Sequence, residues 1–211
     1  IQNLAEQFNV LQAALAAGER IYDVLTTKSE LEDEEGAIEV DHLDGEIEFK
    51  NVWFAYVEED WILKDVSFKV NAKENVAFVG ATGSGKTTIL SLIVRNYDIQ
   101  KGQILIDGLD IKKYKIASLR KHIGQMLQDV FLFSGTVESN ITLRSDDISS
   151  DIVKEACRFV NADKVIDKLP NKYNEIVRER GKNFSSGERK LITYARVVSH
   201  KPNIMILDEA T

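Results

Sequence analysis

Residues 75–88 read Asn-Val-Ala-Phe-Val-Gly-Ala-Thr-Gly-Ser-Gly-Lys-Thr-Thr, and no other stretch constrains the chain so narrowly. The apolar run Val76, Ala77, Phe78 and Val79 predicts a buried strand. Ile89, Leu90, Leu92, Ile93 and Val94 follow with the spacing of a helix that packs one face. Between them stand Gly80, Ala81, Thr82, Gly83, Ser84, Gly85, Lys86, Thr87 and Thr88. A strand, a glycine-rich loop and a helix in that order are what a phosphate-binding loop requires. Gly80, Gly83 and Gly85 let the backbone bend until its N–H groups converge on phosphate oxygens. The helix N-terminus adds partial positive charge at the same place. Lys86 reaches terminal phosphates and the Thr87 hydroxyl is offered to Mg2+, so the chain is expected to bind a nucleotide.

The rest of the chain decides what kind of nucleotide protein this is. Ile204-Met205-Ile206-Leu207 runs into Asp208-Glu209, a buried strand with an acidic carboxyl end, which is where ligands sit in α/β sheets. Asp208 can hold Mg2+ there directly or through water, and Glu209 can polarise an attacking water. Ile123 to Leu127 predicts a second short strand, ending at Gln128, whose amide can orient a water or complete a metal shell. Upstream of the loop, Glu46 to Lys50, then Val52, Phe54 and Tyr56, then Val66, Phe68 and Val70 alternate polar with apolar, as antiparallel half-buried strands do. An aromatic at Tyr56 can stack on a purine base, although its spacing fits a core or surface tyrosine as well. Residues 149–199 are helical in pattern. After Gly181-Lys182-Asn183-Phe184-Ser185-Ser186-Gly187-Glu188, a run opens in which Leu191, Ile192, Ala195, Val197 and Val198 can face inward. Ser185 or Ser186 is placed to cap it, and the N–H groups at that start form a second anion-binding end.

Composition narrows the field. With 44% hydrophobic residues among 211, the chain can bury one core, or a core and a satellite. A net charge of −7 disfavours a nucleic-acid partner. The single cysteine, Cys157, excludes an internal disulfide and falls on a helical apolar pattern, as a buried structural thiol. No apolar run approaches the roughly eighteen residues of a membrane span. At the start, Leu4, Phe8, Leu11, Leu15, Gly18, Tyr22 and Leu25 form one helical stripe. Such a helix belongs either to something upstream or on the surface of the same domain. The acidic run from Glu30 to Glu35 reads as a solvated linker.

In this order the pieces resemble the nucleotide-binding domain of an ATP-binding cassette (ABC) transporter of the exporter type, along essentially the whole chain. Gly80–Thr88 matches the Walker A motif, Ile204–Glu209 matches Walker B, and Gln128 stands at the Q-loop glutamine. Tyr56 matches the aromatic that stacks on adenine, and Glu179-Arg180-Gly181 looks like the exporter loop that contacts the membrane domains. Phe184–Glu188 stands at the signature motif, usually Leu-Ser-Gly-Gly-Gln; here Ser186 replaces a glycine and Glu188 the glutamine. The chain stops short of the family's D-loop and switch histidine.

The resemblance implies an α/β fold: a P-loop (RecA-like) ATPase core with an N-terminal antiparallel β subdomain and a helical signature subdomain at roughly 135–200. It divides the chain into the cytoplasmic end of a last transmembrane helix (1–29), an acidic linker (30–45) and the cassette (46–211). The implied cofactors are ATP and Mg2+. Lys86 and the loop amides hold the phosphates, Thr87, Gln128 and Asp208 serve the metal, and Glu209 acts as base. Ser185, Ser186 and Gly187 close the site of an opposing cassette. The implied partners are a transmembrane domain of the same polypeptide and a second cassette, at the cytoplasmic face of the membrane. An altered signature beside an intact Glu209 favours a heterodimer over a homodimer. The competing assignments are a soluble cassette ATPase of DNA repair or translation and a non-catalytic nucleotide-binding module.

Overall fold

The computed structural model describes residues 2–29, 31–126 and 129–208, and the chain divides into two compact units between Glu32 and Asp33. The first holds a single helix, α1 (Gln2–Thr26), rich in the alanine, leucine, glutamine and glutamate that lose little entropy in a helix. Its end is closed by the Thr26 and Thr27 hydroxyls, which donate to the carbonyls of Tyr22 and Asp23. Phe8, Leu11, Leu15, Tyr22 and Leu25 of the apolar stripe are exposed. The Leu4 side chain, and Glu30 of the acidic run, lie outside the described residues. Among the described residues no helix is long and apolar enough to cross a membrane.

The second unit is organised around two hydrophobic clusters. The first forms under a four-stranded antiparallel sheet of order β2-β1-β3-β4, from β1 (Ile47–Ala55), β2 (Trp61–Val70), β3 (Lys101–Ile106) and β4 (Leu109–Asp110). The expected alternation is present, with Ile47 and Phe49 buried, then Val52 and Phe54. The step from 49 to 52 breaks the period of two because the register shifts there, with Asn51 in the left-handed region at φ 49°. Gly102 of β3 makes that shift possible: a Cβ on it would lie 2.3 Å from the Asn51 carbonyl oxygen. Against this sheet pack α2 (Lys86–Ile93), α3 (Ile116–Lys121) and a parallel pair, β5 (Ile123–Met126) and β8 (Ile204–Leu207), through Leu92, Ile93, Leu119, Ile123 and Ile206.

One expected strand is not formed. Val76–Val79 carries no ladder, and Val79 is 93% exposed. A strand is sustained by its hydrogen-bonded neighbours. Among the described residues β8 pairs with β5 alone, so nothing ladders the segment entering the loop, and only Phe78 of it packs, half-buried, against Phe68 of β2.

The acidic linker is also not a free solvated chain from Asp33 onward. The Asp33 carboxylate accepts the Ile116 amide at 2.7 Å, where α3 begins. Glu34 pairs with Lys113 at 2.7 Å and Glu39 with Lys115 at 2.9 Å, and each lysine holds its glutamate's carboxyl below the ordinary range. Ile38 forms a β-bridge with Tyr114. The Asp107 carboxylate accepts the amides of Asp44, Gly45 and Glu46 at 2.9 Å each. Through Asp33 and Glu34 the charge run thus docks on residues 113–116, and Leu43, further along the linker, is buried in the first cluster.

The second cluster holds Leu132, Val137, Ile141, Val153, Cys157, Ile166, Val177, Phe184 and Ile192. They come from a short ribbon of β6 (Gly135–Thr136) and β7 (Ile176–Val177), with α4 (Val137–Thr142), α5 (Ser150–Phe159), α6 (Asp163–Ile166) and α7 (Ser186–Ser199), and, for Leu132 and Phe184, from the segments just ahead of β6 and α7. Helix α7 joins the clusters: Ile192 and Ala195 lie in the second, while Val197 meets β5, where a Cβ on Gly124 would fall 2.6 Å from its Cγ1.

Candidate functional site

Gly83 and Gly85 adopt φ of +84° and +87°, in the left-handed region that favours glycine. A Cβ at Gly85 would also stand 2.8 Å from Cδ2 of Leu63, so this position is closed to side chains on two counts. Gly85 precedes α2 and caps it with no side chain, which leaves the first N–H groups of the helix available to a ligand in the loop. Gly80 to Ser84 are exposed. The Lys86 ammonium folds over the loop and donates to the carbonyls of Gly80 at 2.8 Å and Ala81 at 2.9 Å.

Two side chains from distant segments meet beside it. The Thr87 hydroxyl donates to the Asp208 carboxylate at 3.3 Å, joining the start of α2 to the end of β8. The Asp208 amide donates to Met126 O at 3.0 Å, which extends the β5–β8 pairing by one step and fixes where that carboxylate starts. In an octahedral Mg2+ shell with oxygens at 2.0–2.1 Å, neighbouring ligand oxygens lie about 2.9 Å apart, so this pair fits a small hard cation with little rearrangement. Among the described residues no group of three or more His, Cys, Asp or Glu gathers to hold a metal by itself. A cation here would therefore draw the rest of its shell from water and phosphate, as Mg2+ does.

The Tyr56 hydroxyl lies 3.2 Å from the Thr88 hydroxyl, and Tyr56 meets Phe54 and Tyr97 edge to face. Tyr56 is 51% exposed, which leaves area for a planar ring to stack. Tyr56, Lys86, Thr87, Thr88 and Asp208 are thus brought together from the end of β1, the start of α2 and the end of β8. Gln128 and Glu209 lie outside the described residues; the strands leading to them end side by side, with Met126 paired to Leu207.

The serine-rich segment behaves as a helix cap. Ser185 precedes α7 and its hydroxyl accepts the Glu188 amide at 3.3 Å, while the Glu188 carboxylate accepts the Ser185 amide at 2.7 Å. This reciprocal capping box accounts for an acidic residue at position 188. Ser186 and Gly187 are exposed. Among the described residues no hydrogen bond or ion pair joins Ser185–Gly187 to Gly80–Thr88, so the two anion-binding ends are not brought together within the chain.

Two contributors were not legible in the sequence. Tyr97, four residues past α2, supports Tyr56, and only its aromatic character after the helix marked it. Arg196 donates to Asn140 O at 2.7 Å and to Phe131 O at 3.2 Å, and so ties α7 to the segment that follows Gln128. Burial lowers its guanidinium pKa from the ordinary value.

The geometry has close counterparts. A family model described as ABC transporter matches residues 63–211. Over 211 residues the chain is 44% identical to an uncharacterized ABC transporter ATP-binding protein, YfiC, of Bacillus subtilis (strain 168), covering all of this chain and 35% of that protein. It is equally 44% identical to the probable multidrug resistance ABC transporter ATP-binding/permease protein YheH of the same organism, of which it covers 31%. A fatty acid ABC transporter ATP-binding/permease protein of Mycobacterium bovis is 40% identical over the whole chain, which covers 33% of it. Among solved structures, a bacterial Atm1-family ABC exporter with ATP bound superposes with a TM-score of 0.86 at 34% identity, over 95% of this chain and 35% of that one. The chain spans about a third of the length of the curated relatives it matches.

Proposed function

The chain belongs to the ABC transporter family, and from that premise we propose that it is the ATP-binding and ATP-hydrolysing domain of an exporter whose membrane domain shares its polypeptide. The observation that carries the proposal is the Thr87–Asp208 contact, which closes 121 residues of sequence onto the phosphate loop and sets side by side two of the six oxygens of a Mg2+ shell. The ATP-binding/permease relatives, matched along the whole of this chain, support the exporter over a soluble cassette of DNA repair or translation. Such a protein sits at the cytoplasmic face of a membrane.

On this reading the residues divide the work as follows. The amides of residues 80–85 and the Lys86 ammonium hold the phosphates, and binding ATP lets Lys86 exchange the two loop carbonyls for phosphate oxygens. Thr87 and Asp208 would hold the cation, with Gln128 as the third residue serving it. Bound Mg2+ neutralises charge on the phosphates as it shifts in the reaction. Tyr56 stacks on the base. Glu209 accepts a proton from the attacking water. Ser185, Ser186 and Gly187 serve the nucleotide of a second cassette, so that two chains complete each other's sites.

The partner cassette is the finer question. Glu188 occupies the glutamine position of the signature, yet it makes the capping bond that a glutamine's amide oxygen would make. Half of the case for a degenerate signature therefore falls away, and Ser186 carries what is left of the argument for a heterodimer. Co-purification from the native membrane decides it, since recovery of a single kind of subunit removes the heterodimer.

The test of the proposal is Glu209→Gln in the full-length protein. Loss of a general base lowers turnover on the order of a hundred- to ten-thousandfold while ATP binding persists. Turnover near the wild-type rate would overturn the assignment of Glu209.

A further inference from the structure

The ring cluster around Tyr56 has a second end. Tyr56 meets Phe54 at 4.9 Å between ring centroids and 86° between planes, and Tyr97 at 5.1 Å and 84°. Phe54 and Tyr97 touch in turn at 5.7 Å. Phe54 is buried within the first cluster, whereas Tyr97 is 43% exposed beside the half-exposed Tyr56. The Tyr56 hydroxyl is also within hydrogen-bond distance of Thr88, which is 6% exposed. Thr88 lies in the first turn of α2 and Tyr97 lies four residues past its end, so Tyr56 is gripped from both ends of the helix that opens at the phosphate loop.

The segment bearing Tyr97 is fixed independently. Arg95, left-handed at φ 53° and 1% exposed, donates through Nε to Asp98 at 3.2 Å and through a terminal nitrogen to Tyr114 O at 3.2 Å. Its own carbonyl accepts from Arg120 at 2.6 Å. Tyr97 sits between residues anchored on both sides and is itself partly open to solvent. A ring held that way sets the orientation of its neighbour, because edge-to-face pairs have a preferred geometry beyond the area they bury.

We propose that Tyr97 is a positioning residue for nucleotide recognition: it holds Tyr56 upright for the base and, together with Thr88, ties base recognition to the helix that holds the phosphates. The inference rests on the reading of Tyr56 as the base-stacking ring. Without the Tyr97 edge, Tyr56 keeps its bond to Thr88 but can tilt about it, and the stacking surface is no longer preformed. The consequence falls on the base, since among the described residues Tyr97 makes its ring contacts with Phe54 and Tyr56, while Lys86 bonds to Gly80 and Ala81 and Thr87 to Asp208.

The test compares ATP with inorganic triphosphate, which has the phosphates and lacks the base. Calorimetric titration of the full-length protein is run with each ligand, in EDTA to prevent hydrolysis, for wild type, Tyr97→Leu, Tyr97→Met and Tyr97→Phe. Both aliphatic variants are expected to weaken ATP about three- to tenfold, the scale of one aromatic pair, and to leave triphosphate within twofold of wild type. Tyr97→Phe keeps the ring and restores ATP affinity. Tyr97→Met preserves apolar bulk, and so carries the test if the leucine variant does not fold. Equal weakening of both ligands, or ATP affinity unchanged in the aliphatic variants, would overturn the positioning role. A wild type that binds triphosphate as tightly as ATP would instead overturn the reading of Tyr56, and the inference with it.

Discussion

Replacing Glu188 tests whether position 188 is a structural cap or a lesion in the signature. Its carboxylate accepts the Ser185 amide at 2.7 Å, and its own amide donates back to the Ser185 hydroxyl at 3.3 Å. Glu188→Ala removes the first of these bonds at the end of α7, where amides have no partner inside the helix. It also removes a negative charge from the positive end of the helix dipole. A lost cap costs about 0.5–2 kcal/mol and the charge about 0.3–1 kcal/mol; because Glu188 is partly open to water, about 1 kcal/mol in total is the expected loss. Helix α7 inserts Ile192 and Ala195 into the second cluster and Val197 against Gly124, so its first turn cannot fray without loosening both clusters. In a domain of this size that loss lowers Tm by about 2–4 °C. Glu188→Gln keeps an acceptor for the Ser185 amide and loses only the charge, for less than about 1 kcal/mol. Thermal unfolding of the full-length protein, with hydrogen exchange at residues 186–189 to localise the change, measures both variants. A Glu188→Ala protein with unchanged Tm and unchanged exchange would refute the structural account. An ATPase rate that rises severalfold in Glu188→Gln would show that the acid impairs the signature after all.

Other perturbations reach the remaining parts of the site and its support. Gly85→Ala forces a Cβ into a left-handed position, at about 1–2 kcal/mol, and onto Leu63; ATP affinity should fall at least about tenfold, and equilibrium dialysis showing wild-type affinity would count against the loop geometry. Asp208→Asn and Thr87→Ala should each abolish most of the gain in ATP affinity that Mg2+ confers while sparing binding in EDTA, and an undiminished Mg2+ effect in both would dismiss this pair as the cation site. Burial raises the Cys157 thiol from 9.0 to about 11, so the folded chain keeps a proton that the unfolded chain loses. That contribution is complete below pH 9 and declines as pH rises toward 11, and Cys157→Ala should flatten the fall in urea midpoint across the window; an identical slope in the variant would refute it. Arg196→Ala orphans the part-buried carbonyl oxygen of Asn140, while water can replace the exposed bond to Phe131, and should cost about 1–3 kcal/mol by urea unfolding, with Arg196→Lys recovering only part because lysine lacks the fork.

How much of this was legible depended on whether a residue's role is local or delivered by the fold. Gly83, Gly85 and Ser185 are local: a left-handed turn demands glycine, a helix start demands a cap, and both were readable from residue type and spacing. The alternation of β1 and β2 was readable too, apart from the shift at Asn51, which depends on Gly102 some fifty residues on. The failures were tertiary. Val76–Val79 has strand composition, but composition cannot supply a ladder partner. The acidic run looked solvated because the partners of Asp33 and Glu34, the Ile116 amide and Lys113, stand about eighty residues downstream. Tyr97 was invisible for the same reason: its role comes from Tyr56, forty-one residues earlier, which only the fold brings to it.

The two anion-binding ends also differ in a way that orders their use. Helix α2 begins at Gly85 without a side-chain cap, so its first amides await a partner. Helix α7 begins with a completed capping box, in which the Ser185 amide and hydroxyl and the Glu188 amide are already engaged. An anion approaching α7 finds Ser186 and Gly187 exposed and can still accept the Ser185 O–H, which only accepts in the cap, but it must compete with the Glu188 carboxylate for the Ser185 amide and meets that charge nearby. On the proposed two-chain site, the loop therefore binds ATP first and largely alone, and the opposing α7 adds its contacts only on closure. Nucleotide affinity should accordingly be insensitive to Ser185→Ala under conditions that keep the cassettes apart, while the ATP-dependent association of cassettes should fail in the same variant. Equal losses in both measurements would mean that Ser185 acts through the stability of α7 rather than across the interface.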